Sequence, residues 1–286
     1  MILGTVQFGV KYGINNIFGK PSSDLVTKIL HYAFENRISI LDTAEAYGNS
    51  QKLIGNFIKS NPNKPFDIIT KLNGTTIIKK NKLIDHINQT CKVLNVESIY
   101  GYTIHNYQSI KKFQFLYLDI LNAKKTGIIK NAGISVYENN EIEDVIKNYN
   151  DFDFIQIPFN LLDNESKRKT IMEKAKQNKI EIHARSIFLQ GLFFKPYKEF
   201  PQKLKPLIPY IKTLNNIKDD LNIDMQTMAI KYAFKKKYID KVLIGIDNIN
   251  QLKNNIDVIN LKTDISTNEI DKINVLEKKT LSPTNW

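Results

Sequence analysis

Apolar and polar positions along the chain follow two alternating spacings, and this alternation predicts strands and helices in turn. Short apolar runs are typical of strands buried in a parallel sheet. Such runs begin near Ile2, Ile38, Phe66, Ser98, Ile128, Phe152, Ile180 and Lys241. Between them, apolar residues recur every three or four positions, which is the spacing of a helix that packs one face on a sheet. Eight strands alternating with helices favour a parallel sheet covered by helices.

The regular alternation is interrupted once, between Arg185 and Lys241. This interval holds an aromatic and proline-rich loop, residues 188–209, followed by two helical stretches. The second stretch carries Met225 and Met228 on its apolar face, and methionine commonly fills irregular gaps in a core. We therefore assign both methionines to the core and not to a ligand site.

Beyond the eighth strand, the pattern predicts a helix near residues 251–256 and a final helix over residues 267–279. At the other end, Met1 leads directly into the first strand. No long Pro-, Gly- or Ser-rich linker divides the chain. We therefore predict a single domain over residues 1–286.

Composition fits this interpretation and narrows the function classes. The chain has 286 residues, is 42% hydrophobic and contains one cysteine, Cys91, so an internal disulfide is excluded and a reducing compartment is expected. The sequence shows no leader-like start and no uncharged apolar run of about 18 residues. These features predict a soluble cytoplasmic protein with no membrane partner.

The net charge of +12 raises the alternative of a basic nucleic-acid-binding module. The lysines are spread in ones and twos, with residues 235–237 as the single triple, and no recognition motif accompanies them. A solvated lysine-rich surface is therefore favoured, and no nucleic-acid partner is expected. A binding module would instead show nucleic-acid retention that weakens steeply with salt.

Three successive predicted strands end in residues suited to proton transfer. Asp42 ends the second strand and Tyr47 follows in the next loop, while Lys71 ends the third strand and His105 the fourth. In a parallel barrel these strand ends converge on one face. A lysine ammonium beside a tyrosine favours the phenolate and lowers its pKa. An aspartate would hold the lysine in place, and a histidine would orient a carbonyl.

Two of these residues also have a purely structural interpretation. Asp42 alone would be a strand-end acid that caps a helix, and Lys71 alone would more often be a surface lysine. The sequence gives no support to a Rossmann dinucleotide site, to nucleoside triphosphate hydrolysis or to a serine nucleophile, because the motifs GxGxxG, GxxxxGK(S/T) and GxSxG are all absent. No second histidine stands at metal-ligand spacing, so no metal is expected.

The residues around these positions resemble one known family. The run LDTAEAYGNS, Lys71 in IITKL and His105 in YTIHN are similar to the aldo-keto reductase superfamily, whose catalytic tetrad is Asp, Tyr, Lys and His in this order. The start GTVQFG is similar to its first strand, and residues 245–255 to its cofactor-binding end. The resemblance implies a (β/α)8 TIM barrel without the amino-terminal hairpin of many members. Because that hairpin closes the bottom of the barrel, we expect side chains or the carboxyl-terminal segment to close it here. It also implies that the catalytic residues are Asp42, Tyr47, Lys71 and His105.

The resemblance further implies reduction of an aldehyde or ketone with NAD(P)H, with Tyr47 as the general acid. The residues implied to bind the cofactor are Thr5, Ser135, Gln156, Arg185, Ser186, Leu189, Gly191, Gly245, Asp247, Asn248, Gln251 and Asn255. Ser135 and Gln156 match positions that hold the nicotinamide amide, although ordinary strand-end hydrogen bonding would also explain them. Residues 186–191 match the loop beside the cofactor diphosphate.

Three positions depart from the family pattern. Val136 stands where an asparagine usually follows the serine, which puts one amide contact in doubt. Arg185 stands where an aromatic ring often stacks on the nicotinamide. A guanidinium can also stack, and it can bind a phosphate or a carboxylate. The structural alternative for Arg185 is an ion pair with a nearby acid. Asp247 stands where NADPH enzymes usually carry Arg, Lys or a small hydroxyl residue. It therefore favours NADH or dual use, unless a lysine such as Lys253 compensates for its charge or Asp247 serves as a helix cap.

The run ARSIFLQG and the start at Met1 resemble a bacterial subgroup often found with surface-polysaccharide enzymes, which implies a sugar-related carbonyl substrate. We expect a monomer or a weak homo-oligomer. The resemblance also leaves open a regulatory barrel that binds the cofactor without turnover, because some superfamily members act as regulatory subunits. Tight cofactor binding without turnover would identify that alternative.

Overall fold

The structure, a computed structural model, describes residues 1–76 and 78–286, without the side chain of Thr284. Eight parallel strands close into a barrel in sequence order, which confirms the predicted (β/α)8 TIM barrel. The strands are β1 (Ile2–Gly4), β2 (Ile40–Asp42), β3 (Asp67–Leu72), β4 (Ile99–Ile104), β5 (Ile129–Ser135), β6 (Phe154–Pro158), β7 (Glu181–Arg185) and β8 (Lys241–Gly245). Each begins within two residues of its predicted start.

Helices follow the strands and surround the barrel. They are α1 (Val6–Gly9), α2 (Ser23–Glu35), α3 (Ser50–Ser60), α4 (Leu83–Leu94), α5 (Tyr107–Lys112), α6 (Phe115–Lys125), α7 (Asn139–Asn148), α8 (Glu165–Gln177), α9 (Ile208–Asp220), α10 (Met225–Lys235), α11 (Ile249–Asn260) and α12 (Asn268–Asp271). The predicted helices after Arg185 and near residues 251–256 correspond to α9, α10 and α11, and Met225 and Met228 are buried as predicted. None of the helices in the described ranges combines the length and apolar character that a membrane crossing needs.

Helix α2 shows how the sequence sets a helix boundary and a buried face. Ser22 precedes the first turn, and its Oγ accepts a hydrogen bond from the Leu25 amide at 3.3 Å. This bond satisfies an amide that the helix itself leaves unpaired. Val26, Ile29 and Ala33 are buried, and their spacing places them on the helix face that packs on the barrel.

Closure of the barrel brings the carboxyl ends of the strands together. Gly4 pairs with Asp42 of β2 on one side and with Gly245 of β8 on the other. Lys71 lies near the end of β3, and His105 directly follows β4. Because all strands are parallel, the residues that end or follow them lie on one face of the barrel.

Side chains fill the opposite end of the barrel. A cluster of Ile2, Ile69 and Phe154 occupies the interior, and the Phe154 ring stacks on His183 with 4.5 Å between the ring centroids. Gly133 makes room for this ring, because a Cβ at that position would lie 2.3 Å from Phe154 Cζ. Of the two expected ways of closing the bottom, the structure therefore shows closure by side chains.

The predicted final helix over residues 267–279 is wrong. The helix α12 ends at Asp271, because the carbonyl groups that would continue it bind elsewhere. The side-chain amide of Asn164 donates to the carbonyl oxygens of Ile270 and Ile273 at 2.8 and 2.9 Å. A contact with a distant loop has thus replaced the hydrogen bonds of a following helical turn.

Candidate active site

A buried ion pair lies at the centre of the carboxyl-terminal face of the barrel. The side chains of Asp42 and Lys71 are each 2% exposed, and Lys71 Nζ donates to Asp42 Oδ1. Lys71 Nζ also donates to the Thr43 carbonyl oxygen at 3.0 Å, and Gln156 Nε2 donates to Asp42 Oδ2 at 2.6 Å. Both oxygens of the Asp42 carboxylate are therefore hydrogen-bonded, as a buried charge requires. These bonds fix the position of the Lys71 ammonium.

Tyr47 and His105 stand beside this ammonium. Lys71 Nζ lies 5.3 Å from the centroid of the Tyr47 ring. The His105 ring meets the Tyr47 ring edge-on, with the centroids 5.9 Å apart and the planes at 81°. The structure thus brings Asp42, Tyr47, Lys71 and His105 from three strand ends into one cluster.

The position of Tyr47 depends on a close approach of two backbones. A Cβ on Gly9 would lie 1.6 Å from the Tyr47 carbonyl oxygen. A Cβ on Gly48 would lie 2.5 Å from the Gly9 carbonyl oxygen, and Gly48 has a φ of 53°. Only glycine allows this approach, so the glycines that end GTVQFG and AYG serve to seat the tyrosine.

The protonation states of the cluster follow mainly from burial. Burial and the negative charge of Asp42 raise the pKa of Tyr47 well above its usual value, so the hydroxyl stays protonated at neutral pH. Burial lowers the pKa of Lys71, and the charge of Asp42 opposes that shift. Burial, together with the charges of Lys71 and Arg185, lowers the pKa of His105 to about 3, so its ring is neutral.

The predicted lowering of the Tyr47 pKa is wrong for the resting site, where that pKa is raised. Burial disfavours the phenolate, Asp42 repels it, and the Lys71 ammonium already pairs with Asp42. The charge of Arg185 opposes this shift. In its resting state Tyr47 is therefore a protonated donor and not a phenolate.

The cluster opens into a cavity of about 610 Å³, a usual size for a ligand pocket. The residues implied to bind a cofactor that line it are Thr5, Ser135, Gln156, Arg185, Ser186, Gly191, Gly245, Asp247, Gln251 and Asn255. Leu189 and Asn248 are not among the residues that line it. Leu189 is fully buried in the apolar core, and Asn248 Oδ1 accepts a hydrogen bond from the Gln251 amide at 3.0 Å, capping α11.

Asp247 lies on the cavity wall and forms two hydrogen bonds with Gln251. The backbone amide of Asp247 donates to Gln251 Oε1 at 2.7 Å, and Gln251 Nε2 donates to Asp247 Oδ2 at 3.3 Å. The residue that caps α11 is Asn248, so the capping interpretation of Asp247 is wrong. Burial raises the pKa of Asp247, and the side-chain amides of Gln251 and Gln7 oppose that shift.

Arg185 ends β7 and lines the cavity. The carbon at the centre of its guanidinium lies 4.3 Å from the centroid of the Tyr137 ring. Arg185 Nη2 donates to the Val136 carbonyl oxygen at 3.5 Å. No carboxylate of residues 1–76 or 78–286 pairs with this guanidinium, so the ion-pair interpretation of Arg185 is wrong.

Sequence reasoning missed the loop after α1, which covers one side of the cavity. Gln190 Nε2 donates to the Tyr12 hydroxyl at 2.9 Å, and the Ile14 amide donates to the Gln190 carbonyl oxygen at 3.1 Å. Asn15 Nδ2 donates to the Gly191 carbonyl oxygen at 2.6 Å. The glycines and asparagines of YGINNIFG signal a loop, but they do not reveal which other loop it contacts.

The fold and the clustered side chains define an enzyme of the TIM-barrel class, whose chemistry takes place at the strand ends. Residues 1–277 match the model of the Aldo/keto reductase family, and the chain belongs to this family. It is therefore an oxidoreductase. Among curated proteins, none matches the chain.

Solved structures share the fold at low sequence identity. The holo form of an aldo-keto reductase from Bacillus halodurans is 18% identical, with a TM-score of 0.76 over 97% of this chain and 93% of that chain. An aldo-keto reductase from Bombyx mori in complex with NADP is 18% identical, with a TM-score of 0.68 over 96% and 87%. An aldo-keto reductase from a Medee basin deep-sea metagenome library is 20% identical, with a TM-score of 0.66 over 89% and 88%.

Proposed function

We propose that this protein reduces an aldehyde or ketone with NAD(P)H and that Tyr47 donates the proton to the carbonyl oxygen. The cluster at the cavity carries the proposal, because a protonated phenol and a neutral imidazole stand side by side next to a fixed ammonium. A positioned general acid of this kind accelerates a reaction by about 100- to 10,000-fold.

The cavity fits a nicotinamide cofactor. Gln156 Oε1 is buried and has no hydrogen-bond partner among the residues that the structure describes, so it can accept from a carboxamide N–H. Gln7 Oε1 is also buried and also has no hydrogen-bond partner among the described residues. It stands next to Gly245, where a Cβ would lie 3.0 Å from the Gln7 amide. The NADP in the Bombyx mori structure supports the same cofactor class.

Each side chain of the cluster has a distinct role in this reduction. Bound NAD(P)H would supply a hydride to the carbonyl carbon. The Tyr47 hydroxyl would give its proton to the carbonyl oxygen, and His105 would donate a hydrogen bond to the same oxygen. The Lys71 ammonium, 5.3 Å from the Tyr47 ring, would stabilise the phenolate as it forms. Asp42 holds that ammonium in place before the reaction begins.

We further propose that the protein uses NADH, or both cofactors, in preference to strict use of NADPH. Asp247 lies on the cavity wall at the end where the family resemblance locates the adenosine. A carboxylate there opposes a 2′-phosphate, because like charges repel at short range. Neutral hydroxyls in the same position would donate hydrogen bonds to the Asp247 carboxylate.

We infer a sugar-related carbonyl substrate, a cytoplasmic location and a monomer or weak homo-oligomer. The run ARSIFLQG supports the substrate through its resemblance to enzymes associated with surface polysaccharides. The single cysteine supports a reducing compartment. A screen of sugar aldehydes and ketones, cell fractionation and light scattering over a range of protein concentrations test these points in turn.

The substitution Tyr47→Phe tests the proton donor because it removes only the hydroxyl. Cofactor affinity, measured by fluorescence titration, should be unchanged, and turnover of a carbonyl substrate should fall by about 100-fold or more. Tyr117→Phe is the matched control, since it removes a hydroxyl that binds Asp151 on the outside of the barrel. Turnover of Tyr47→Phe within about threefold of the control would remove Tyr47 from the mechanism.

The same titration separates the alternative functions. Tight cofactor binding by the wild type without reduction of any carbonyl would favour a regulatory barrel. No cofactor binding by the wild type, together with salt-sensitive retention of nucleic acid, would favour a basic binding module.

A further inference from the structure

The half-buried guanidinium of Arg185 differs from that of the buried Arg168 in having no acidic partner within the described parts of the chain. Arg168 binds both carboxylate oxygens of Asp163 at 2.7 Å. Arg185 instead lies over the Tyr137 ring and makes one long hydrogen bond, at 3.5 Å. A guanidinium has five N–H donors, so most of those on Arg185 have no acceptor among the described residues.

Arg185 lies close enough to the proposed catalytic cluster for its charge to act on the side chains there. Burial raises the pKa of Tyr12 and Tyr47 and lowers that of Lys71 and His105, and the positive charge of Arg185 contributes a downward shift at all four groups. The Lys71 ammonium is balanced by Asp42, and the imidazole of the cluster is neutral. Arg185 therefore leaves this end of the cavity with one uncompensated positive charge, which an anionic ligand would neutralise.

We propose that the substrate is an acidic carbonyl compound and that Arg185 binds its carboxylate or phosphate while its carbonyl oxygen lies beside Tyr47 and His105. This inference rests on the reductase function proposed above. The planar guanidinium matches two oxygens of either acidic group. The acidic group does not react: the carbonyl carbon gains the hydride, the carbonyl oxygen gains the Tyr47 proton, and the acid leaves unchanged.

The support under Arg185 is held rigidly. Arg168, which is 1% exposed, donates from Nη2 to the Tyr137 carbonyl oxygen at 2.7 Å and from Nη1 to Asn139 Oδ1 at 2.7 Å. The Tyr137 ring in turn provides the face on which the Arg185 guanidinium rests. The guanidinium is thus oriented before a ligand arrives, which reduces the entropy lost on binding.

The cofactor diphosphate is the other anion that could bind the Arg185 guanidinium. The family resemblance places the diphosphate beside residues 186–191 and the adenosine near Asp247. The Arg185 charge, in contrast, acts on Tyr47 and His105, where the carbonyl would react. The assignment of Arg185 to the substrate and its assignment to the diphosphate predict different results for Arg185→Gln.

Matched pairs of carbonyl compounds test the proposal. Butanal and succinic semialdehyde differ by a carboxylate, and glyceraldehyde and its phosphate ester differ by a phosphate. The wild type should show a kcat/KM at least about tenfold higher for the acidic member of a pair. Arg185→Gln should lose about 10- to 100-fold on the acidic member and little on the neutral one, which abolishes the preference.

Two further variants sharpen this test. Arg185→Lys should keep part of the preference, because the charge is retained while the planar pair of donors is lost. Lys130→Gln removes one exposed positive charge near the start of β5, at the opposite end of the barrel, and should leave the preference unchanged. A loss of preference in Lys130→Gln would show that net charge, and not Arg185, selects the substrate.

Cofactor affinity distinguishes the substrate from the diphosphate. The dissociation constant of the cofactor, measured by nucleotide fluorescence, should change by less than about threefold in Arg185→Gln. Cofactor binding weakened by about tenfold with an unchanged preference would assign Arg185 to the diphosphate and overturn the proposal. Equal kcat/KM for both members of every pair in the wild type would also overturn it.

An independent measurement keeps the two proposals separate. If the wild type binds the cofactor but reduces no carbonyl, acidic or neutral, the proposed reductase function fails. Calorimetric titration of the protein–cofactor complex with glutarate, which has no carbonyl to reduce, then decides the anion site. Binding that disappears in Arg185→Gln would support the site, and no binding by the wild type would refute it.

Discussion

Replacing Lys71 by methionine shows how strongly the ion pair beside Tyr47 stabilises the folded protein. Both charged side chains are 2% exposed, so the variant leaves the Asp42 carboxylate buried with only its hydrogen bond from Gln156. Removing one partner of a buried pair typically destabilises a protein by about 3–5 kcal/mol. The Thr43 carbonyl oxygen also loses its bond from Nζ, which adds about 1 kcal/mol. We expect the free energy of unfolding to fall by about 4–6 kcal/mol in total.

Urea denaturation followed by circular dichroism at neutral pH, without cofactor, measures this loss. In thermal denaturation the same loss lowers Tm by about 2 °C per kcal/mol for a chain of this size. The double variant Lys71→Met/Asp42→Asn should recover more than half of the stability, because it removes the unpaired buried charge. A loss below about 1 kcal/mol in the single variant, or a double variant no more stable than the single one, would refute the reasoning.

Three further outcomes are expected. Gly133→Ala should destabilise the protein by about 1–3 kcal/mol in urea because a Cβ would lie 2.3 Å from the Phe154 ring, and Phe154→Leu should relieve most of that loss. The hydrogen bond to Glu45 raises the pKa of His86, so charged His86 should make the wild type more stable than His86→Gln. This stability difference should be complete below about pH 6.5 and should shrink as the pH rises through the raised pKa. A difference that grows with pH would contradict this. Asp247→Arg should shift the ratio of the NADH and NADPH dissociation constants toward NADPH by about fivefold. A wild type that already prefers NADPH by about tenfold would show that another residue contacts the 2′-phosphate.

The barrel and the grouping of its strand-end residues were predictable because both follow from local pattern and one rule of topology. The period of the apolar residues gives strands and helices, and their alternation requires parallel pairing. Parallel pairing then carries every strand end to one face. No distance information was needed to bring Asp42, Lys71 and His105 together.

The parts that were not predicted depend on contacts between loops that are distant in sequence. Asn248 is polar and stands in the right segment, but whether it faces the cavity or caps α11 is decided by the path of the backbone. The last helix fails because Asn164, far earlier in the chain, binds the carbonyl groups of Ile270 and Ile273. The pKa of Tyr47 depends on burial and on the Asp42–Lys71 geometry, which residue types alone do not give.

The contact between Gly9 and the Tyr47 carbonyl oxygen limits how this protein can evolve. Because a Cβ at position 9 would overlap that oxygen at 1.6 Å, any other residue must move the loop that carries the tyrosine. Gly127 differs, since a Cβ there would meet no atom within 4 Å and only its φ of 79° restricts replacement. In a library randomised at both positions, active clones should retain glycine at position 9 and accept asparagine at position 127. Drift at position 9 is thus limited by the backbone of a single residue on a neighbouring loop, however stable the rest of the barrel becomes.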